Sequence, residues 1–418
     1  MKIPVLSIPL IIFSLLFLSD CGQGSKAPST EQAAVHKPPA QTAAQNGKAA
    51  SGKQSVRLCA SVPSVTDEYV PLFNTNVFIR TEDNALADAI EKDLSLLHKY
   101  FDAYRYYHGD NAAVLKNLKI VNEHIAAGKS INIDPPLAEI IKESIRIMEL
   151  TDGYFNVFLE PVSHLYRSKF SSFPIENTDP AKDAIDFALT RVLNTQEAKK
   201  LLFLSGNTLS FLPHNGVFDY SLNFGAIAKG YAAKKIFDSY PGRTYMLSMG
   251  SSTIVSCGKT HRIGVASPHY KTLALIQIDL PGGMSLSTSG TLNNYYISAS
   301  DSRTIRTHIL DPRTGYSNDW WRAVIVISDN ALVSDALSTA LFNLNDEKRI
   351  LSIITAVKQA YGCSIEACFV KDENREIKTL SLIMTEGFVP YIRNDYEGIG
   401  IGGQKIISAS DSIQQEKP

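Results

Sequence analysis

Apolar residues recur every three or four positions at Leu86, Ile90, Leu94, Leu97 and Phe101, which predicts a helix that buries one stripe. A second helix is expected from Asp134-Pro135-Pro136, because aspartate caps a helix start and proline suits its first turn. Its stripe is Leu137, Ile141, Ile145 and Met148, and it runs into the loop Thr151-Asp152-Gly153-Tyr154-Phe155-Asn156. Alternating or continuous apolar runs predict strands over residues 74–80, 245–257, 262–265, 273–280 and 323–328. Shorter strand pieces are expected within 201–219, around turns at Ser205-Gly206-Asn207 and Pro213-His214-Asn215-Gly216. Residues 220–236 read as strand, glycine turn and helix, and residues 334–344 as a further helix. Residues 183–200 are polar and suggest no chemistry. The pattern is that of an α+β chain, with mixed, largely antiparallel sheets packed with helices.

The ends read differently. Lys2 precedes an apolar run over residues 3–18, closed by Ser19-Asp20-Cys21, which reads as a lipoprotein-like signal segment rather than a spanning helix, with a plain secretory signal or an uncleaved anchor as the alternatives. Residues 22–65 are rich in Ser, Ala, Gln, Pro, Thr and Lys with few large apolar residues, so they are expected to form a flexible tether. The folded body is then expected over 66–395, with a tail over 396–418. A net charge of −1 gives no basic surface for a nucleic-acid partner. An exported chain permits disulfides among Cys59, Cys257, Cys363 and Cys368, with the last two close enough in sequence to be candidates.

Candidate chemistry gathers in four stretches. Residues 307–315, Thr-His-Ile-Leu-Asp-Pro-Arg-Thr-Gly, read as a strand end and turn that present His308, Asp311, Arg313 and Thr314. The same stretch suits a plain junction with a capping aspartate and a core histidine. Lys229 follows the glycine turn at the start of a helix, where amides attract phosphate; a packing glycine beside a surface lysine is the alternative. Asp335 and Thr339 lie four apart and share a helix face, so both can meet a hard cation, or serve as a helix-start aspartate and a buried threonine. Ser287-Thr288-Ser289-Gly290 completes the set.

In order along the chain, these stretches resemble the FAD:protein FMN transferases, also called the ApbE or thiamine-biosynthesis lipoprotein family. The matching pieces are Thr-Asp-Gly-Tyr-Phe at 151–155, Asn-Phe-Gly-Ala-Ile-Ala-Lys-Gly-Tyr-Ala at 223–232, Ser-Thr-Ser-Gly at 287–290, His-Ile-Leu-Asp-Pro-Arg-Thr-Gly at 308–315 and Ser-Asp-Ala-Leu-Ser-Thr-Ala-Leu at 334–341. The resemblance implies a single ApbE-like, T-fold-like catalytic domain that moves FMN from FAD onto a threonine or serine of a flavoprotein subunit of a membrane redox complex. It implies magnesium held by Asp335, Thr339 and the Ala226 carbonyl. FAD contacts are implied at Thr75, Asp152, Lys229, Ser289, Gly290, Arg313 and Thr314, with His308 or Asp311 at the reacting centre. It also implies a chain lipidated at Cys21 (palmitate among the acyl groups) and held to the periplasmic side of a bacterial membrane. FAD hydrolysis to FMN and AMP, or flavin binding without catalysis, are the alternatives. The chain departs from the family's usual aspartate at Asn223 and Asn156, and from its usual residues at 248–252, Thr291 and Leu292.

Cys21→Ala is expected to release the protein from the membrane fraction or to leave an unprocessed precursor. Fractionation and gel mobility identical to the parent would rule out the anchor.

Overall fold

A computed structural model describes residues 55–59, 72–108, 114–171, 177–250, 252–270, 272–393 and 401–408. Cys21, the signal segment and most of the expected tether lie outside the described residues. The strands of the first half are β1 (Ser55–Cys59), β2 (Val77–Thr81), β3 (Ile131–Asn132), β4 (Leu202–Ser205), β5 (Thr208–Phe211), β6 (Tyr245–Met249) and β7 (Thr253–Cys257). They are followed by β8 (His261–Ala266), β9 (Ala274–Leu280), β10 (Met284–Gly290), β11 (Tyr295–Ile297) and β12 (Ile305–Thr307). The last four are β13 (Ala323–Ser328), β14 (Ile365–Asn374), β15 (Thr379–Thr385) and β16 (Ile401–Ile407). Nine of them form one sheet in the order β1-β2-β6-β7-β10-β13-β14-β15-β16. Only the β15–β16 pairing is parallel, so the sheet is largely antiparallel as the apolar pattern predicts.

The helices are α1 (Asn84–Phe101), α2 (Leu118–Ala126), α3 (Pro135–Leu150), α4 (Glu160–Ser171), α5 (Lys182–Leu189), α6 (Thr195–Leu201), α7 (Ala228–Ser239), α8 (Ala331–Phe342) and α9 (Glu347–Tyr361). All five residues of the first predicted stripe are buried on α1, and Asp83 caps that helix by accepting from the Leu86 amide. One side of the sheet is covered by α7 and α8. The apolar residues of β13 divide between the two cores, Val324 and Val326 facing the helices and Ile325 and Ile327 the opposite side, so all six residues of the strand are buried. A strand covered on both faces reads as a continuous apolar run.

Helix α8 is buried on almost every side, as a helix apolar all round must be. Its polar residues Ser334, Asp335 and Ser338 fall on the side that meets α7 and β10. Gly230 lets α7 come this close: a Cβ there would lie 2.4 Å from Asp335 Cβ and 2.5 Å from the Ala331 carbonyl oxygen.

Several expectations differ from the structure. The sheet extends past the body expected at 66–395, because β1 lies in the expected tether and β16 in the expected tail. The run 245–257 is a hairpin rather than one strand; Gly250, at φ +69°, turns it between β6 and β7. Residues 220–225 form no strand, and α8 begins three residues before the expected 334, where the Asn330 side chain accepts from the Val333 amide. The stretch 183–200 carries α5 and α6, the latter started by a capping box of Asn194 and Glu197. Cys363 and Cys368 are free thiols, since Cys368 is fully buried within β14 and paired across to β13; Cys257 is free as well. The Cys59 side chain lies outside the described residues.

Candidate active site

The site is built where α7, α8, β7 and β10 meet. Alternate residues of β10 (Ser285, Ser287 and Ser289) point at α8, since side chains two apart share a face. Ser287 and Ser334 hydroxyls are 2.8 Å apart, Ser289 and Ser338 also 2.8 Å, and Ser289 lies 3.3 Å from the Thr339 hydroxyl. This buried hydroxyl seam leads to Asp335. One Asp335 carboxylate oxygen accepts from the Gly230 amide at 2.7 Å, and the other from the Thr253 hydroxyl at 3.0 Å. The first turn of a helix leaves amides without intrahelical partners, so a carboxylate on α8 satisfies an orphan donor of α7.

Burial pushes the pKa of Asp335 up, and the nearby charge of Lys229 opposes that rise together with the two hydrogen bonds. The buried acid is thus costly to ionise, and a cation beside it would favour the charged form. Each carboxylate oxygen keeps a second lone pair for such a cation. The Thr339 hydroxyl lies one turn along the same helix. The described residues contain no group of three or more His, Cys, Asp or Glu in metal-binding arrangement. A magnesium ion fits such a sparse set, because it is commonly held by one or two carboxylates with substrate phosphates and water completing the shell. Ala226 lies in the turn just before α7, two residues from its first residue.

Lys229, in the first turn of α7, donates to the Gly225 carbonyl at 3.4 Å. Its charge acts on both Asp335 and His308. The His308 ring is exposed to solvent yet ringed by protein, and Phe170 stands edge-on with centroids 6.4 Å apart. Desolvation by the surrounding protein, then the Lys229 charge, push its pKa down to about 4. With its pKa lowered from the ordinary 6.5, His308 is neutral at pH 7. β12 ends at Thr307, so strand alternation does not reach His308; Ile309 and Leu310 are both buried while His308 is exposed.

Asp311 has a different surrounding from that expected of a reacting group. It is 1% exposed, accepts from the Arg313 Nε at 2.9 Å and terminal nitrogen at 2.7 Å, and from Asn318 at 3.2 Å. Its backbone carbonyl also accepts the Gly315 amide at 2.8 Å. The residue organises the turn and aims Arg313, whose guanidinium lies 3.7 Å from the centre of the Tyr154 ring. Thr314 is exposed on the same turn, its hydroxyl accepting the Tyr316 amide at 3.2 Å. Gly315, at φ +73°, packs so closely that a Cβ would lie 2.4 Å from Ile185. The Asn343 side chain, at the end of α8, ties the turn to that helix by donating to the Leu310 carbonyl at 3.1 Å.

Two residues stand differently. Asp152, at φ +48°, pairs with Arg349 of α9. Thr75 sits against Gly250 in the β6–β7 turn, where a Cβ on Gly250 would meet its hydroxyl at 2.0 Å; β7 then carries Thr253 to Asp335. Ser289 is nearly buried, and Gly290 leaves no room for a Cβ, which would lie 2.7 Å from the Arg322 carbonyl. Sequence reasoning missed Thr253, Ser334 and Ser338, and also a cluster of Tyr104, Glu160 and Arg167 beside Asn223. The serine alternation at 285, 287 and 289 was the available signal for the seam, whereas nothing local marks Glu160.

Comparison with known proteins identifies the family. The model of the ApbE family matches residues 73–362. A FAD:protein FMN transferase of Klebsiella pneumoniae is 30% identical over 302 residues, spanning 71% of this chain and 85% of that protein. One from Vibrio cholerae is 25% identical over 280 residues, spanning 65% and 74%. Among solved structures, the ApbE protein of Thermotoga maritima superposes with a TM-score of 0.62 at 21% identity, over 82% of this chain and all of that one. The apo flavinyl transferase ApbE of Pseudomonas stutzeri gives 0.58 at 22% identity, over 81% and 97%. The chain belongs to the ApbE family.

The His308 environment yields a titration. The midpoint of its imidazole, followed by NMR and assigned by its loss in His308→Ala, is expected below 6.5. Removing the positive neighbour in Lys229→Met should raise it. A parental midpoint at or above 6.5 would contradict the described surroundings.

Proposed function

We propose that this protein is a magnesium-dependent flavin transferase that moves FMN from FAD to a threonine or serine hydroxyl of a flavoprotein subunit and releases AMP. The observation that carries the reading is the buried Asp335 at the α7–α8 junction, with Lys229 and the Thr339 hydroxyl beside it. A lone desolvated carboxylate suits a magnesium ion whose remaining ligands come from substrate phosphates, and the lysine beside it adds positive charge for a diphosphate. Family membership and the names of the relatives point to the same substrate.

Asp335, Thr339 and the Ala226 carbonyl would hold magnesium, which when bound neutralises charge on the diphosphate as the bond to AMP breaks. Lys229 adds positive charge on the phosphate side. Neutral His308 accepts the proton of the acceptor hydroxyl as its oxygen attacks the FMN phosphorus; the phosphorus–oxygen bond to AMP breaks and AMP leaves. The depressed pKa keeps the histidine ready as a base across neutral pH. Asp311 acts through Arg313 as a positioning residue. Thr75, Ser289, Gly290, Arg313 and Thr314 remain assigned to FAD, and Asp152 to it through the Tyr154 loop. The reading places the protein, anchored through Cys21, on the periplasmic side of a membrane, where it would serve a subunit of a redox complex.

Purified protein incubated with FAD, magnesium and a candidate acceptor subunit should give a fluorescent flavin band on the acceptor and one AMP per flavin transferred. His308→Ala should lower transfer by about 10²–10⁴, the usual worth of one general base. Free FMN without labelled acceptor would make the protein a hydrolase, and intact bound FAD would make it a binding protein.

A further inference from the structure

Beside the loop that leads into α7 lies a cluster outside the residues assigned above. Glu160 opens α4 and is largely buried, with a side chain 15% exposed. One of its carboxylate oxygens pairs with Arg167; the other accepts from the Asn223 amide and, at 3.4 Å, from the Tyr104 hydroxyl. Arg167 also donates to the Tyr104 hydroxyl at 3.0 Å and stacks 4.3 Å from the centre of its ring. The Asn223 carbonyl oxygen accepts the Gly225 amide at 2.7 Å, and the Gly225 carbonyl accepts from Lys229. A continuous chain of contacts therefore runs from Glu160 through Asn223 and Gly225 to Lys229.

We propose that Glu160 is a positioning residue: it orients the Asn223 side chain, and through it fixes the loop that presents the Ala226 carbonyl and Lys229. Two features support this. Asn223 has one donor end and one acceptor end, and both are used: the amide goes to Glu160 and the carbonyl receives Gly225. A carboxylate at 160 thus selects an amide at 223, since an aspartate there would set two like charges together. The loop backbone is also held by the Asn122 side chain, which meets both the N–H and the carbonyl of Leu222 at 2.9 Å, by the Asn223 backbone N–H donating to the Val157 carbonyl at 2.7 Å, and by the Phe224 carbonyl accepting from Ile227 and Ala228, but none of these bonds fixes the Asn223 side chain. Losing Glu160 would leave the Asn223 side-chain nitrogen only its longer contact with the Tyr104 hydroxyl, at 3.3 Å, and so relax the segment in front of Lys229. The consequence for flavin binding rests on the proposed function, whereas the loop-holding role does not.

The test combines hydrogen exchange with ligand binding in the full protein. Glu160→Ala is expected to speed amide exchange in peptides covering residues 222–230, without changing exchange in β13 or α8. It should weaken FAD binding, read by flavin fluorescence, by roughly tenfold, the worth of one charge-assisted hydrogen bond. Asn223→Asp alone should loosen the loop too, by repulsion. Asn223→Asp combined with Glu160→Gln exchanges acid and amide between the two positions, and should restore both slow exchange and FAD affinity; a residue that merely filled space would not be rescued this way. Parental exchange in Glu160→Ala, or a double variant no better than Asn223→Asp, would overturn the proposal. A parent that binds no FAD would sink the flavin reading, while exchange in the four proteins would still decide the role of Glu160.

Discussion

Asp335 sits where two helices and two strands converge, and a carboxylate buried there has to be satisfied from all sides. The Gly230 amide and Thr253 hydroxyl meet its two oxygens, and the absence of a side chain on Gly230 allows α7 near enough to do so. The hydroxyl seam along β10 continues the same solution, because buried polar groups without partners would each cost about 1–3 kcal/mol. Helix α8 can be apolar on its other faces only because its few polar residues are matched on this one. The same junction that holds the core together carries the charge available for chemistry.

Around that junction the site has a division of labour. The turn after β12 is held rigidly by Asp311, Gly315 and Asn343, leaving His308 exposed and Arg313 over Tyr154. The loop before α7 is held from outside, through Asn223. Lys229 stands between them and its charge reaches both the histidine and the buried acid. Rigid elements thus carry the acid, its hydroxyls and Lys229, while the turn and the loop carry His308, Arg313 and the Ala226 carbonyl, so that precision coexists with access.

Much of this was legible in the chain. Period-four apolar stripes located α1 and α3 because those helices bury one face each, and the apolar run at 323–328 located β13. The spacing of Asp335 and Thr339 and the 308–315 turn carry their meaning locally. What stayed hidden depends on long-range partners. No periodicity tells that Asp335 would cap α7 from 105 residues away, or that Glu160 would meet Asn223 across 63. Asp311 looked like a reacting group because an Asp-Pro turn and a catalytic loop share composition; its enclosure by Arg313 and Asn318 is visible only in three dimensions. Strands β1 and β16 escaped because edge strands can be polar, and their stability comes from the neighbour they pair with.

If a single desolvated carboxylate is the centre of the site, its charge should oppose the fold until a cation joins it. A raised carboxylate pKa means that the folded state binds the proton more tightly than the unfolded chain, so stability falls as pH rises above the ordinary 3.8. Thermal unfolding of the parent and of Asp335→Asn at neutral pH, in chelator and then with magnesium and FAD, tests this directly. The variant is expected to melt at least as high as the parent in chelator. Only the parent should gain from the ligands, by about 2.7 kcal/mol at a hundredfold excess over Kd. An equal ligand-induced gain in Asp335→Asn would contradict the central role of that carboxylate.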